Sequence, residues 1–291
     1  MSARGADPEE LVPLGVLPGG ADPDVVGRAS GSRELTSRTD VFGVPCFRGT
    51  LEEATALVVS EARSGSGGYA CLCNVHVLET ARRDFRVMAA LREALVVFPD
   101  GAPIAWVQRL TEPGAGERVG GPDLMERVFR DGCAVGLRHA LYGSTEEVLE
   151  GVRATFERRY PLAQVVAAIS PPFGPRTDEE IVRDLDALRS ARPHVIWVAL
   201  GAPRQELWAA RFAPALEPAL LVGVGAAFDF IAGSKRRAPA WMQEASLEWL
   251  HRLATEPRRL GIRYLSTNSR FLVRVGAGLA RRRIGRRRAW S

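Results

Sequence analysis

The stretch His194-Val195-Ile196-Trp197-Val198-Ala199-Leu200, followed at once by Gly201-Ala202-Pro203-Arg204-Gln205-Glu206, decides the fold. An apolar run with no polar alternation reads as a strand buried on both faces, and a Gly-Pro turn with a polar first turn behind it reads as the start of a helix. The same rhythm recurs on both sides. Tyr69 to Cys73 ends at Asn74, and Ala94 to Phe98 ends at Pro99-Asp100-Gly101. His139 to Tyr142 runs into Gly143-Ser144-Thr145, Val165 to Ile169 into Ser170-Pro171-Pro172, and Ala219 to Val222 into Gly223-Val224-Gly225. Helical patterns fill the intervals, over Leu51 to Ala62 and from about Val75 to Leu91. Short apolar strands alternating with helices predict an α/β fold, a Rossmann-like, mostly parallel sheet with helices on both faces. In such sheets ligands gather at the carboxyl ends of the strands, so the polar residues at those turns carry the functional reading.

At 291 residues and 46% hydrophobic content the chain can bury one substantial core. Residues 1–39 are rich in Gly, Pro, Ser, Asp and Arg without periodicity and read as a flexible leader; 40–245 form the α/β domain. Residues 246–291 form an Arg-rich, helical C-terminal appendage. From Glu248 to Ser291 there are 12 Arg against 2 Glu, so a net charge of +5 overall leaves the first 247 residues at about −5. Blocks such as Arg281-Arg282-Arg283 and Arg286-Arg287-Arg288 fit a solvated tail or an anionic membrane surface, and no nucleic-acid partner is expected. Between Ile262 and Leu279, Leu265, Leu272, Val275 and Leu279 recur at helical intervals beside Phe271, a pattern that can lie along an interface. No apolar run reaches the roughly 18 residues of a membrane span, and the N-terminus lacks a signal-peptide core. The expected location is the cytoplasm. Cys46, Cys71, Cys73 and Cys133 are spaced for neither zinc nor a redox pair and read as buried thiols.

Asp100 follows an apolar strand and precedes Gly101. From spacing alone that pair is first an Asp-Gly turn, and second a carboxylate placed where a general base would stand. The Gly201 to Glu206 connection offers free helix N–H groups to a phosphate and Gln205 to sugar hydroxyls, or is an ordinary capped helix. Gly223-Val224-Gly225 lacks the third glycine of a dinucleotide fingerprint, and neither loop fits a Walker motif. There is no Asp-X-Asp pair, and His76, His139, His194 and His251 lack metal-ligand spacing. Catalysis without cofactor or dedicated metal is the expectation, with arginines and helix dipoles neutralising a leaving diphosphate.

Five ordered motifs carry a resemblance over about residues 40 to 265: Asn74-Val75-His76, Pro99-Asp100-Gly101, Glu117-Arg118-Val119-Gly120-Gly121-Pro122-Asp123-Leu124, Gly201 to Glu206, and the Val222 to Tyr264 stretch. Together they resemble the WecG/TagA/CpsF glycosyltransferases. The resemblance implies inverting transfer of an N-acetylmannosamine-type or related hexose from a UDP-sugar to a polyprenyl-diphosphate-linked acceptor sugar. The setting it implies is cell-surface polymer synthesis, on the inner face of the cell membrane, with self-association among relatives. It makes Asp100 the candidate base, and Asn74, Arg118 and Gln205 substrate-binding positions. Arg252, Arg259 and Arg263 fall in an arginine-bearing appendage thought to close over the site. The strand-end positions Gly101, Gly143 and Gly225, with Glu206 and Asp229, complete the candidate set. Two departures stand out: Leu72 where members often carry threonine, and Arg204 in place of lysine. A catalytically degenerate nucleotide-sugar or polyanion-binding protein is the alternative, with an NAD-dependent or nucleotide-hydrolysing α/β enzyme behind it.

Overall fold

A computed structural model describes residues 37–239 apart from 113 and 115, together with 242, 250–251, 270–271 and 273–277. The elements follow in chain order: β1 Arg38–Val41, β2 Val44–Phe47, α1 Leu51–Ser64, β3 Tyr69–Cys73, α2 Val75–Ala81, α3 Phe85–Glu93, β4 Val96–Pro99, α4 Ala102–Thr111, α5 Gly121–Cys133, β5 Arg138–Gly143, α6 Glu146–Arg159, β6 Gln164–Ile169, α7 Asp178–Ala191, β7 Val195–Ala199, α8 Arg204–Phe212, β8 Leu220–Gly223 and α9 Ala227–Ile231. The eight strands make one sheet in the order β1-β2-β4-β3-β8-β7-β5-β6, parallel except for the β1–β2 pair.

The side-chain alternation of each strand sorts the interior into two cores. Tyr69, Cys71 and Cys73 of β3 join Leu221, Ile196, Val198 and Tyr142 on the face covered by α2, α3, α7 and α8. Ala70, Leu72, Phe98, Val222 and Trp197 face α1, α5 and α6. In the second core Trp197 Nε1 donates to His139 Nδ1 at 3.2 Å. Burial holds the His139 pKa down to about 3, so the ring stays neutral and can accept that bond. Cys46, Cys71 and Cys73 are buried thiols as expected, whereas Cys133 is only half-buried, at the end of α5.

Two local features depart from the sequence reading. The helix expected from Val75 to Leu91 is two helices. Thr80 O accepts the N–H groups of both Arg83 and Asp84, and the Asp84 carboxylate accepts from Arg86 N at 2.9 Å, ending one helix and capping the next. The β1–β2 hairpin also escaped the strand pattern. Its turn, Phe42-Gly43, holds both residues at positive φ, 53° and 92°. A hairpin turn of that kind normally announces itself through Asn-Gly or Asp-Gly, and phenylalanine there gives no such signal.

Among the tail positions, Phe271 and Val275 are buried in the first core, and the Phe271 ring meets Phe42 edge-on at 6.0 Å. Arg274 Nη1 lies 3.1 Å from Glu79 Oε1, a carboxylate 1% exposed. Part of the apolar stripe expected to lie along an interface is therefore spent on the domain itself, while Val273 points outward, 72% exposed. The end of the expected leader, Arg38 and Thr39, is instead paired in β1; residues 1–36, most of the appendage, and with it Leu265, Leu272, Leu279 and the arginine blocks, lie outside the described residues.

Candidate active site

The carboxyl ends of β4, β3, β8 and β7 lie side by side, so the turns after these strands share one edge of the sheet. Asn74 ends β3 and caps α2. Its Oδ1 accepts from the N–H groups of His76 at 3.0 Å and Val77 at 3.1 Å. With the carbonyl so committed, the amide nitrogen faces the neighbouring strand end and donates to Asp100 Oδ2 at 3.3 Å. Asp100 is itself fixed by its backbone N–H, which donates to Cys73 O at 2.9 Å. Sequence reasoning placed both residues at strand ends; the fold makes them neighbours, each half-buried.

Helix starts gather around this pair. α4 begins from Gly101, α8 from Pro203 and α9 from Ala226, and none of these has a side-chain cap. The start of α5 joins them through Val119 N–H, which donates to Pro99 O at 2.9 Å. Gly121 packs so tightly that a Cβ would sit 2.9 Å from Val224 O and 3.4 Å from Leu72 Cδ2. Leu72 is thus a core side chain wedged beneath α5, and no hydroxyl stands at that position. The positive ends of these helix dipoles make this edge favourable for anionic groups.

The remaining candidates sort into several roles. The Arg118 guanidinium lies beside the α5 start, where a Cβ on Gly120 would come within 2.8 Å of Nη2 and 3.0 Å of Asp123 Oδ2. Asp123 receives a two-pronged contact from Arg237, at 2.6 and 2.5 Å, tying the chain after α9 to the start of α5. Nothing in the chain's local pattern marks this pair, whose members stand 114 residues apart. Asp229 on α9 is half-buried and pairs with Lys235 at 3.4 Å. Gly143 is accounted for by sheet packing: a Cβ there would meet Ala199 O at 2.6 Å.

Gln205 departs furthest from its expected part. It is 3% exposed, and both ends of its amide are engaged within the protein. Oε1 accepts from Gly225 N–H at 3.0 Å, and Nε2 donates to Glu206 Oε1 at 2.9 Å. Instead of reaching toward sugar hydroxyls, it braces the turn after β8. Glu206, 1% exposed, has its pKa pushed up to about 7 by burial, against the smaller lowering effect of the Gln205 hydrogen bond. Arg252, Arg259 and Arg263 lie outside the described residues. Among the described residues no three His, Cys, Asp or Glu side chains group as metal ligands do.

The glycosyl transferase WecG/TagA/CpsF family model matches residues 39–288. The chain belongs to that family. It is a hexosyltransferase, and its relatives are named as mannosaminyltransferases. The N-acetylglucosaminyldiphosphoundecaprenol N-acetyl-beta-D-mannosaminyltransferase of Bacillus subtilis (strain 168) is 28% identical over 188 residues, covering 64% of this chain and 71% of the relative. The protein of the same name from Staphylococcus aureus (strain NCTC 8325 / PS 47) is 24% identical over 232 residues, covering 79% of this chain and 89% of the relative. Among the described residues of this transferase no helix is long and apolar enough to cross a membrane.

Proposed function

We propose that this transferase moves an N-acetylmannosamine-type or related hexose, with inversion, from a UDP-sugar to a polyprenyl-diphosphate-linked sugar during synthesis of a cell-surface polymer. The observation that carries the reading is the Asn74–Asp100 pair at the strand-end edge, surrounded by uncapped helix starts. Asp100 takes the proton of the acceptor hydroxyl as that oxygen bonds to the sugar's anomeric carbon. The bond from that carbon to the diphosphate breaks, and UDP leaves with the electron pair. Asn74 holds the carboxylate in register. Arg118 and the positive end of the α8 dipole balance the charge on the departing diphosphate, joined by Arg252, Arg259 and Arg263. The reading includes no dedicated metal.

The acceptor's lipid requires work at a membrane surface, and we place the enzyme peripherally on the inner face, drawn to anionic lipids by the arginine blocks. Because Phe271 and Val275 are built into the domain, the part to remove in a test is residues 280–291. Sedimentation with anionic liposomes should fall on that deletion, and unchanged sedimentation would end the membrane role of the blocks. The function itself is tested by incubating the protein with UDP-sugars and a lipid-diphosphate-linked N-acetylglucosamine. Acceptor-dependent transfer supports the reading. Donor hydrolysis that ignores the acceptor points to a hydrolase, and binding without turnover to a degenerate member in which the loss of a hydroxyl at Leu72 matters.

A further inference from the structure

Glu206 is an expensive residue at its position. A carboxyl 1% exposed, with Oε2 lacking any hydrogen-bond partner among the described residues, costs several kcal/mol to bury when charged. The helix does not need it there: Trp208, Ala209 and Phe212 fill the same core with apolar atoms. Its carboxyl accepts from the Gln205 amide at 2.9 Å. That contact controls something specific. The oxygen and nitrogen of a glutamine amide are almost identical in shape, so packing alone cannot choose which of them faces Gly225. Gly225 N–H on one side and an acceptor at Glu206 on the other make the choice together. The Glu206 acceptor draws Nε2 toward itself, which turns Oε1 toward Gly225 N–H; the flipped amide would set a donor against a donor. The end of β8 lies against this strut, with a Cβ on Gly223 falling at contact distance, 3.4 Å, from Gln205 Cγ.

We propose that Glu206 is a positioning residue for the donor site. Its carboxyl orients the Gln205 amide, and the Gln205 carbonyl in turn fixes the Val224–Ala226 turn from which α9 and Asp229 begin. The inference rests on the reading of this edge as the UDP-sugar site. Two measurements on the full chain separate them: exchange of the Gly225 amide hydrogen in ligand-free protein, followed by NMR, and UDP affinity by calorimetry. Glu206→Leu removes the acceptor and should speed Gly225 exchange about tenfold and weaken UDP about tenfold, the scale of one lost hydrogen bond, with kcat for the transfer nearly unchanged. Glu206→Gln, which can still offer an oxygen to Gln205, should restore both to within about threefold. Where the leucine variant does not fold, Glu206→Met, closer in length, replaces it.

A folded variant with Gly225 as protected and UDP as tightly held as in the wild type overturns the proposal. So does loss of UDP affinity while Gly225 remains protected. Faster Gly225 exchange with unaltered UDP affinity overturns the link to the donor. Failure of the wild type to bind UDP sinks the donor reading itself, and the exchange measurement still judges the Glu206–Gln205–Gly225 relay.

Discussion

The ends of β4 and β7 face the same edge of one sheet and treat a carboxylate in opposite ways. After β4, Asp100 is half-buried at the edge and accepts from the Asn74 amide. After β7, Glu206 is sealed in the core beside the thiols of Cys71 and Cys73, bonded to a side chain that is itself bonded to backbone. The first arrangement suits a group that must meet a reactant; the second suits one that holds other groups still. Position at a strand end does not assign chemistry. What decides is whether the carboxylate's oxygens face the edge or the interior.

The largest effect expected from this contrast is at Asp100. Asp100→Asn should leave UDP affinity nearly unchanged and lower turnover by about two to four orders of magnitude. Near wild-type turnover in the folded variant would remove the β4 half of the comparison. Glu206 should appear in stability. Its pKa is raised from 4.5 to about 7, so the folded state holds the proton more tightly than the unfolded one. The associated stability is fully present below about pH 4.5 and is lost as pH rises through about 7, amounting to about 3 kcal/mol. Denaturation of Glu206→Gln beside the wild type from pH 4 to 8 should show that slope in the wild type alone; parallel curves would contradict the burial argument.

A third carboxylate extends the comparison beyond the edge. Glu79 is as buried as Glu206 but is neutralised by Arg274, whose side chain is 32% exposed. Arg274→Ala should cost about 1–2 kcal/mol, less than for a fully enclosed pair, and the loss should shrink when Glu79→Gln is also present. Additive losses in that double-mutant cycle would mean that the pair does not couple. The smallest effect concerns metal. With arginines and helix starts balancing the diphosphate, EDTA should change turnover by less than about twofold. Abolition by EDTA and recovery with manganese would show that the edge needs a cation.

The parallel sheet was legible because buried parallel strands are nearly continuous apolar runs, and the strand from Tyr69 to Cys73 ends where the sequence places it. What sequence could not reach was chemistry made by pairs distant along the chain. Asn74 and Asp100 each announce a strand end, but only the β3–β4 pairing brings their side chains together. Gln205 looked like a ligand because glutamine after a Gly-Ala-Pro turn is polar and close to the edge. Its burial comes from packing across strands, which sets it against Gly223 and Gly225. The turn at Phe42 was invisible for the opposite reason, since its conformation contradicts the residue's own preference.

The pairing of β3 with β8 has a consequence for how the molecule is held together. Tyr69 lies beside Leu221, so β8, the last strand among the described residues, is inserted at the centre of the sheet and joins two blocks. Asn74 and Asp100 stand on one margin of that seam, Gln205 and Gly225 on the other. Neither block alone contains both margins, and a nascent chain lacking β8 has no complete edge to offer a nucleotide. A donor bridging the seam acts as a rivet: it resists separation of the blocks and so opposes global unfolding, by about 2.7 kcal/mol when free ligand stands at a hundred times its dissociation constant.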